Sequence, residues 1–269
     1  MAMNGGDPPG SQAGTWIAVN AVLRKVSLLG LASLAAGVLV GGVGGRIAMS
    51  VSAAMAPPEM IGRLTENGNR IGEFTIAGTI GLLVFVGLLG GIAGSVVVVS
   101  SDPWLRWAGP MKGLGFGMMT LAVFGYETFG SVDFRLLEPV AVNVGMFLGL
   151  MLLFGLAVSG FYRLLETRLP RAAEREQIGY LILVAFGAVP LLVAFLNFSS
   201  PDFCGCDPAY EIGVSLLFMA GATAVHHAST AFRLPSWLTL TASTMGYVSL
   251  VAALVFGLNR TFDNLQRLV

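Results

Sequence analysis

The chain has 269 residues, of which 55% are hydrophobic and only 11% are charged. A soluble domain carries about 25% charged residues, so the charged fraction of this chain is too low for a soluble domain of its length. Lys and Arg together number 15, as do Asp and Glu, which excludes the basic excess of a nucleic-acid-binding protein. The apolar residues arrive in long blocks. The sequence therefore predicts an all-α, polytopic transmembrane helix bundle whose main partner is the lipid bilayer.

The N-terminal segment differs in composition from the remainder of the chain. Residues 1–14 are polar and rich in glycine and proline, and they precede the first apolar block. This composition predicts a disordered tail, since it offers too little apolar surface to bury. We predict that residues 15–269 form a single transmembrane domain.

The chain contains about seven apolar segments of spanning length, because a helix needs ~20 residues to cross a bilayer. They are Val26–Gly45, Thr75–Val99, Gly113–Gly130, Pro139–Tyr162, Gly179–Phe198, Ile212–Ala231 and Trp237–Leu258. The third has the weakest pattern, because Glu127 lies near its end. The first could continue to Ala56, where Pro57 and Pro58 would stop it, unless the glycine-rich run at 41–45 breaks the helix first.

The distribution of Lys and Arg predicts a cytoplasmic N-terminus, since short inner loops carry the excess of these residues. With that orientation nine lie inside, namely Arg24, Lys25, Arg106, Lys112, Arg163, Arg168, Arg171, Arg175 and Arg233. Six lie outside, namely Arg46, Arg63, Arg70, Arg135, Arg260 and Arg267. The same orientation puts Trp16, Trp104, Trp107 and Trp237 at the inner interface. Seven spans then place the C-terminus outside.

Glycines recur at four-residue spacing in the first two spans. Gly37, Gly41 and Gly45 follow this spacing, as do Gly87 and Gly91. Small residues at this spacing let helix backbones approach closely. The pattern predicts tight helix contacts, and it would allow a homo-oligomer or a membrane complex to form through the glycine-rich faces. A polar residue in the fourth span, Asn143, predicts an interhelical hydrogen bond.

Four charged residues lie near the predicted outer ends of the spans: Arg46, Glu73, Glu127 and Asp133. An ionisable group in hydrocarbon costs roughly 2.5–3.5 kcal/mol, so it usually pairs with another group or faces a cavity. We expect Arg46 to pair with Glu127 or Glu73. One interpretation is an outward-facing polar pocket for a substrate, ion or proton. The alternative is that the charged side chains extend to interfacial water and that one ion pair among them has a structural role.

Two further pairs carry polar chemistry. Cys204 and Cys206 lie one residue apart in a predicted outer loop, where they could form an exchangeable disulfide or bind a soft metal. The alternative is a small loop-closing disulfide or two thiols without a role.

His226 and His227 are adjacent, so they project about 100° apart on a helix and cannot share a metal as an i, i+4 pair would. We interpret them as a polar pair near the inner end of the sixth span.

These features leave three classes of function open. The leading hypothesis is a non-enzymatic small transporter or membrane-embedded subunit with the outward pocket. The second is a membrane redox or metal-handling protein that uses Cys204 and Cys206. The third, an enzyme acting on lipids, ranks lowest, because the sequence contains no Gly-x-Ser-x-Gly, His-Glu-x-x-His or Walker lysine motif. No cofactor is predicted.

Three short stretches carry a resemblance to known sequences. They are Gly45–Met49 (GRIAM), Gly72–Thr79 (GEFTIAGT) and Asp133–Pro139 (DFRLLEP). They resemble a group of uncharacterised multi-pass membrane proteins from actinobacteria and related bacteria, over roughly the first 165 residues. The resemblance implies a bacterial plasma membrane and a shared outer-face structure for Arg46 and Glu73. It implies no activity.

Overall fold

The computed structural model describes residues 10–65, 68, 70–131, 133–136, 138–169, 210–232 and 234–268. In these residues the long elements are all helices, and the β pairing is limited to one isolated antiparallel bridge between Leu64 and Arg70. The α-helices are α1 (Gly10–Ala36), α2 (Gly45–Met55), α3 (Ile76–Leu82), α4 (Gly90–Ser101), α5 (Lys112–Gly130), α6 (Asp133–Leu136), α7 (Val140–Arg168), α8 (Tyr210–Ala231) and α9 (Ser236–Gln266). The predicted all-α class is therefore confirmed.

Five helical segments are long and apolar enough to cross a membrane: Val19–Met55, Ile76–Ser101, Val140–Arg168, Glu211–Ser229 and Ser236–Gln266. They overlap five of the predicted spans, although the first extends well beyond the predicted Val26–Gly45 at both ends, and they identify the chain as an α-helical membrane protein. The predicted span Gly113–Gly130 is helical as α5, but it does not belong to this apolar set. The predicted span Gly179–Phe198 lies outside the described residues, so the count of seven stays a prediction.

The first long helix continues through the glycine-rich run at 41–45, for which a break was one of the two predicted alternatives. α1 passes into a π-helical segment, Gly37–Gly44, which leads directly into α2. The helix ends at Met55 because Pro57 and Pro58 follow, and the extended backbone of Ala56 is the conformation that a proline imposes on the residue before it. At 1.5 Å per residue the span Val19–Met55 is roughly 55 Å long. It exceeds the ~30 Å hydrocarbon core and must tilt or project from it.

A second π-helical segment, Leu83–Leu89, joins α3 to α4 and packs against the first one. The crossing depends on glycine. A Cβ at Gly37 would overlap the carbonyl oxygen of Gly87, and one at Gly41 would lie 3.0 Å from the carbonyl oxygen of Val86. A Cβ at Gly91 would lie 3.1 Å from the carbonyl oxygen of Ser33. The predicted close contacts are confirmed, and they form within the chain.

α5 is the central helix of the described bundle. It packs on α7 and α9, and most of its inward positions, from Gly113 to Phe129, are buried. A Cβ at Gly117 would lie 2.7 Å from the Cα of Leu152 in α7, and one at Gly257 in α9 would overlap the carbonyl of Ala122. A helix enclosed by protein does not need a lipid-facing apolar surface all round. α5 is such a helix over most of its length.

Candidate functional site

The predicted outer residue Arg46 lies in the first turn of α2, directly after the π-helical segment. Its guanidinium carbon is 4.1 Å from the ring centroid of Phe74, a cation–π contact that joins α2 to the chain entering α3. The Nε atom of Arg46 is buried and has no hydrogen-bond partner among the described residues. The Nε–H of Arg46 is thus an unused hydrogen-bond donor close to Phe74, the residue that follows Glu73.

Glu73 forms an ion pair with Arg70, three residues earlier, at a distance of 4.0 Å. Among the described residues no ion pair joins Arg46 to Glu73 or Glu127. The observed partner of Arg46 is therefore an aromatic ring, which attracts a guanidinium without requiring a second buried charge. The structure nevertheless places Arg46 and Glu73 at the same connection, because Phe74 is the next residue after Glu73.

Glu127 and Asp133 lie on either side of the C-terminal end of α5. Glu127 is exposed near the end of that helix, and Asp133 is half-buried as the first residue of α6. Its backbone amide donates a hydrogen bond to the hydroxyl oxygen of Ser131 at 3.2 Å. Phe134 anchors α6 against α7 through an edge-on contact with Phe147, with ring centroids 4.9 Å apart.

The N-terminal part of α7 lies between the two pairs of predicted residues. The fully buried Asn143 accepts a hydrogen bond from the hydroxyl of Ser52 in α2, and its side-chain nitrogen donates to the carbonyl of Pro139 at 3.2 Å. This contact confirms the predicted interhelical bond of Asn143. α2 and α6 therefore flank one end of α7, so all four predicted pocket residues belong to the same end of the bundle. The pocket itself stays a prediction.

A second polar group, which the sequence analysis missed, lies at the opposite end. Asp102 directly follows α4 and is only 2% exposed. One carboxylate oxygen accepts from the ammonium group of Lys25 in α1, and the other accepts from Lys112 at the start of α5. We call Lys25, Asp102 and Lys112 the inner charge cluster. It joins three elements at one point.

The electrostatics of this cluster depend on its burial. Burial favours the neutral form of Asp102, but the adjacent Lys25 and Lys112 outweigh it and hold the pKa of that carboxyl below its ordinary value. For Lys112, which precedes the predicted span, burial lowers the pKa, and the attraction of Asp102 offsets this only in part. Asp102 is therefore ionised at neutral pH and attracts both ammonium groups.

Trp104 fixes the turn that carries Asp102. Its indole is buried, and Nε1 donates to the hydroxyl oxygen of Thr223 in α8 at 3.0 Å. That hydroxyl donates in turn to the carbonyl of Ser100 at 2.7 Å. Gly246 of α9 provides the space, because a Cβ there would overlap the indole. Trp104 was predicted at the inner interface; the structure instead buries it against α8 and α9, since its N–H has a partner there.

The two histidines lie beside this turn. The ring centroid of His226 is 5.6 Å from that of Trp104 and 5.8 Å from that of His227. The Nε2 atom of His226 is buried without a hydrogen-bond partner among the described residues. The described residues contain no group of three His, Cys, Asp or Glu that could hold a metal ion. The arrangement agrees with a polar pair near the end of α8, the helix whose Thr223 contacts Trp104 and Ser100.

Arg24 ties the end of α7 to the same region. Its guanidinium donates to the backbone carbonyl oxygens of Leu169, at 2.8 Å, and Glu166, at 3.3 Å. A cation at the C-terminal end of a helix satisfies carbonyl groups that have no partner within the helix. The residues around Arg24, Lys25, Lys112 and Glu166 thus form one end of the bundle, opposite Asn143.

One signal in the sequence could have located the inner charge cluster. Lys25 and Lys112 are the only lysines in the chain, and both contact the same carboxylate. Asp102 follows directly after the apolar run of the second span. Another ion pair that the sequence analysis missed joins Arg260 of α9 to Glu211 of α8 at 2.8 Å. Nothing in the local sequence around either residue indicates that pairing.

The predicted redox pair, Cys204 and Cys206, lies outside the described residues, and so does the loop that contains it. The redox and metal-handling hypothesis therefore stays a prediction. No protein-family model, no curated protein sequence and no solved structure matches the chain significantly.

Proposed function

We propose that the protein is a small transporter, or a membrane-embedded subunit of a transport complex, in a bacterial plasma membrane. In this proposal about seven spans place the N-terminus in the cytoplasm and the C-terminus outside. Arg46, Glu73, Glu127 and Asp133 line an outward-facing polar pocket. The resemblance of the first 165 residues to an actinobacterial group of membrane proteins supports the plasma membrane as the location.

The observation that carries the proposal is the arrangement of two paired helices between charged ends. At one end Lys25 of α1 contacts Asp102, which follows α4. At the other end Arg46 of α2 contacts Phe74, which precedes α3. Between these contacts both helices are π-helical and cross through glycines. Segments of π-helix occur frequently at functional sites, and the glycines let the two helix backbones approach closely at this crossing.

The outer end also has a group that a substrate would satisfy. The buried Nε of Arg46 has no partner among the described residues, and an unsatisfied buried donor costs about 1–3 kcal/mol. A carboxylate, phosphate or carbonyl oxygen of a substrate would satisfy it. Glu73, Glu127 and Asp133 at the same end would then contribute to selectivity by repelling anions that cannot also pair with Arg46.

The contacts at the opposite end support the proposed orientation. The predicted inner residues Arg24, Lys25 and Lys112 lie at the same end as the last turn of α7. Trp107 is 73% exposed at this end, as an interfacial indole would be.

The glycine face of the first two spans is occupied by contacts within the chain, so it is not available to a partner protein. The exposed Gly145 and Gly149 of α7 remain for contact with a second copy or another subunit.

The proposal is tested by the Glu127→Gln substitution, with Glu59→Gln as the matched control. Glu59 is also exposed, and it lies in the 3₁₀ turn Pro58–Met60 after α2, outside the proposed pocket. Solutes inside and outside cells are compared by mass spectrometry for the wild type, each variant and cells without the gene. We expect the wild type and Glu59→Gln to shift the distribution of at least one small solute, and Glu127→Gln to lose that shift at equal abundance in the membrane.

Two results would contradict the proposal. If no solute distribution depends on the gene, the protein does not transport small solutes under these conditions. If Glu127→Gln disappears from the membrane while Glu59→Gln remains, the charge of Glu127 has a structural role and does not belong to a transport pocket.

A further inference from the structure

The inner charge cluster contains more positive than negative charge. Lys25 and Lys112 contribute two positive charges, and Asp102 contributes one negative charge. Arg106 is exposed and close enough to repel the charge of Lys112. In the part of the chain that the structure describes, Asp102 is the acceptor for both ammonium groups. Each ammonium carries three N–H donors, so most of their hydrogen-bonding capacity remains available.

The charges at this site do not sum to zero, because three cations lie around one carboxylate and leave a net charge of +2. Burial is the largest cause of the lowered pKa of Lys112; the attraction of Asp102 opposes it, and the weaker repulsion from Lys25 and Arg106 adds to it. The side chains of Lys25 and Lys112 are 24% and 23% exposed, so an additional anion could reach them.

The cluster lies where a helix bundle meets the membrane surface. Asp102 directly follows the candidate span Ile76–Ser101, and the connection to α5 contains a 3₁₀ turn, Arg106–Met111. This turn exposes Trp107 and Met111. Indole rings prefer the headgroup level, and an exposed methionine beside one adds apolar surface for acyl chains. Cations and apolar side chains thus occur together at one edge of the bundle.

We propose that the inner charge cluster, together with Arg106, binds a phosphate-bearing anion, and that this anion is the headgroup of an anionic phospholipid. The phosphate would accept hydrogen bonds from Lys25, Lys112 and Arg106, while Trp107 and Met111 contact the lipid chains. Basic pockets between membrane helices bind anionic headgroups in this way. The site requires only that the cluster lie at a membrane surface, so it does not depend on the proposed transport function.

Lipid retention on the purified protein tests this site. Native mass spectrometry measures binding of phosphatidylglycerol and of phosphatidylcholine at the same ionic strength, and inorganic phosphate is added as a competitor. We expect phosphatidylglycerol to bind at least tenfold more tightly than phosphatidylcholine. Arg106→Gln should weaken phosphatidylglycerol binding about fivefold, which corresponds to ~1 kcal/mol for one basic residue. This variant should fold, because Arg106 is exposed.

Arg163→Gln is the matched control, because Arg163 is an exposed arginine of α7 at the same end of the bundle. It should change the affinity less than twofold. Equal weakening by Arg106→Gln and Arg163→Gln would overturn the proposal, since it would indicate diffuse surface attraction. Equal binding of the two lipids would also overturn it. If millimolar inorganic phosphate displaces phosphatidylglycerol, the ligand of this site is soluble phosphate, and the claim that it is a lipid is refuted.

Discussion

Replacement of Asp102 by Asn tests the inner charge cluster most severely. The substitution preserves the shape of the side chain but removes the one negative charge that Lys25 and Lys112 share. Two ammonium groups, each about three-quarters buried, would then lie close together without a counter-charge. Removal of one partner from a buried ion pair typically costs about 3–5 kcal/mol. Because both lysines can still turn partly toward water, we expect the lower value, ~3 kcal/mol.

The assay is denaturant unfolding of the purified protein in mixed micelles, followed by tryptophan fluorescence. Asp263→Asn is the control, because Asp263 is an exposed carboxylate of α9, and it should change the free energy of unfolding by less than about 0.5 kcal/mol. Addition of Lys112→Met to Asp102→Asn removes one of the uncompensated cations. We expect the double variant to recover at least ~1 kcal/mol. A single variant as stable as the wild type, or a double variant less stable than the single one, would refute the reasoning.

Two other predictions follow from the same structure. Gly155→Ala should destabilise the protein by about 1–3 kcal/mol, because its Cβ would overlap the backbone of α5. Gly160→Ala in the same helix should not destabilise it, because no described atom lies within 4 Å of the added Cβ; thermal unfolding separates the two variants. The lowered pKa of Asp102 predicts stabilisation that is complete above its unfolded pKa of ~3.9 and is lost as the pH falls through the lower folded value. A pH titration of stability should show this loss in the wild type and not in Asp102→Asn; the same acid loss in both would contradict it.

Local sequence patterns predicted much of the helical framework. The prolines after Ala56 predicted the end of α2, because proline restricts the backbone before it and cannot continue a helix. The spacing of Gly37 and Gly41 predicted a close helix contact, because the requirement for a small residue is visible in the sequence itself. Asn143 predicted an interhelical hydrogen bond for a similar reason: a buried amide in an apolar helix needs a partner.

The remaining features depend on tertiary contacts that a linear pattern does not specify. Asp102 contacts Lys25, which is distant in the chain, so its role could be inferred only from the scarcity of lysine. Arg46 was expected to contact a carboxylate, whereas the fold places Phe74 over its guanidinium. The glycine-rich run at 41–45 indicated a weak helix, but the packing of the second π-helical segment preserves helical structure there. In each case the neighbours supplied by the fold decide the outcome.

The central claim is that the proposed polar pocket and the inner charge cluster face opposite sides of the membrane, with the pocket outside. Labelling of intact cells with a membrane-impermeant maleimide tests it directly, in a background where Cys204 and Cys206 are replaced by serine. Glu59→Cys reports the connection between α2 and α3, and Arg168→Cys reports the end of α7. We expect Glu59→Cys to react in intact cells and Arg168→Cys to react only after lysis. Reaction of both in intact cells, or the reverse pattern, would contradict it.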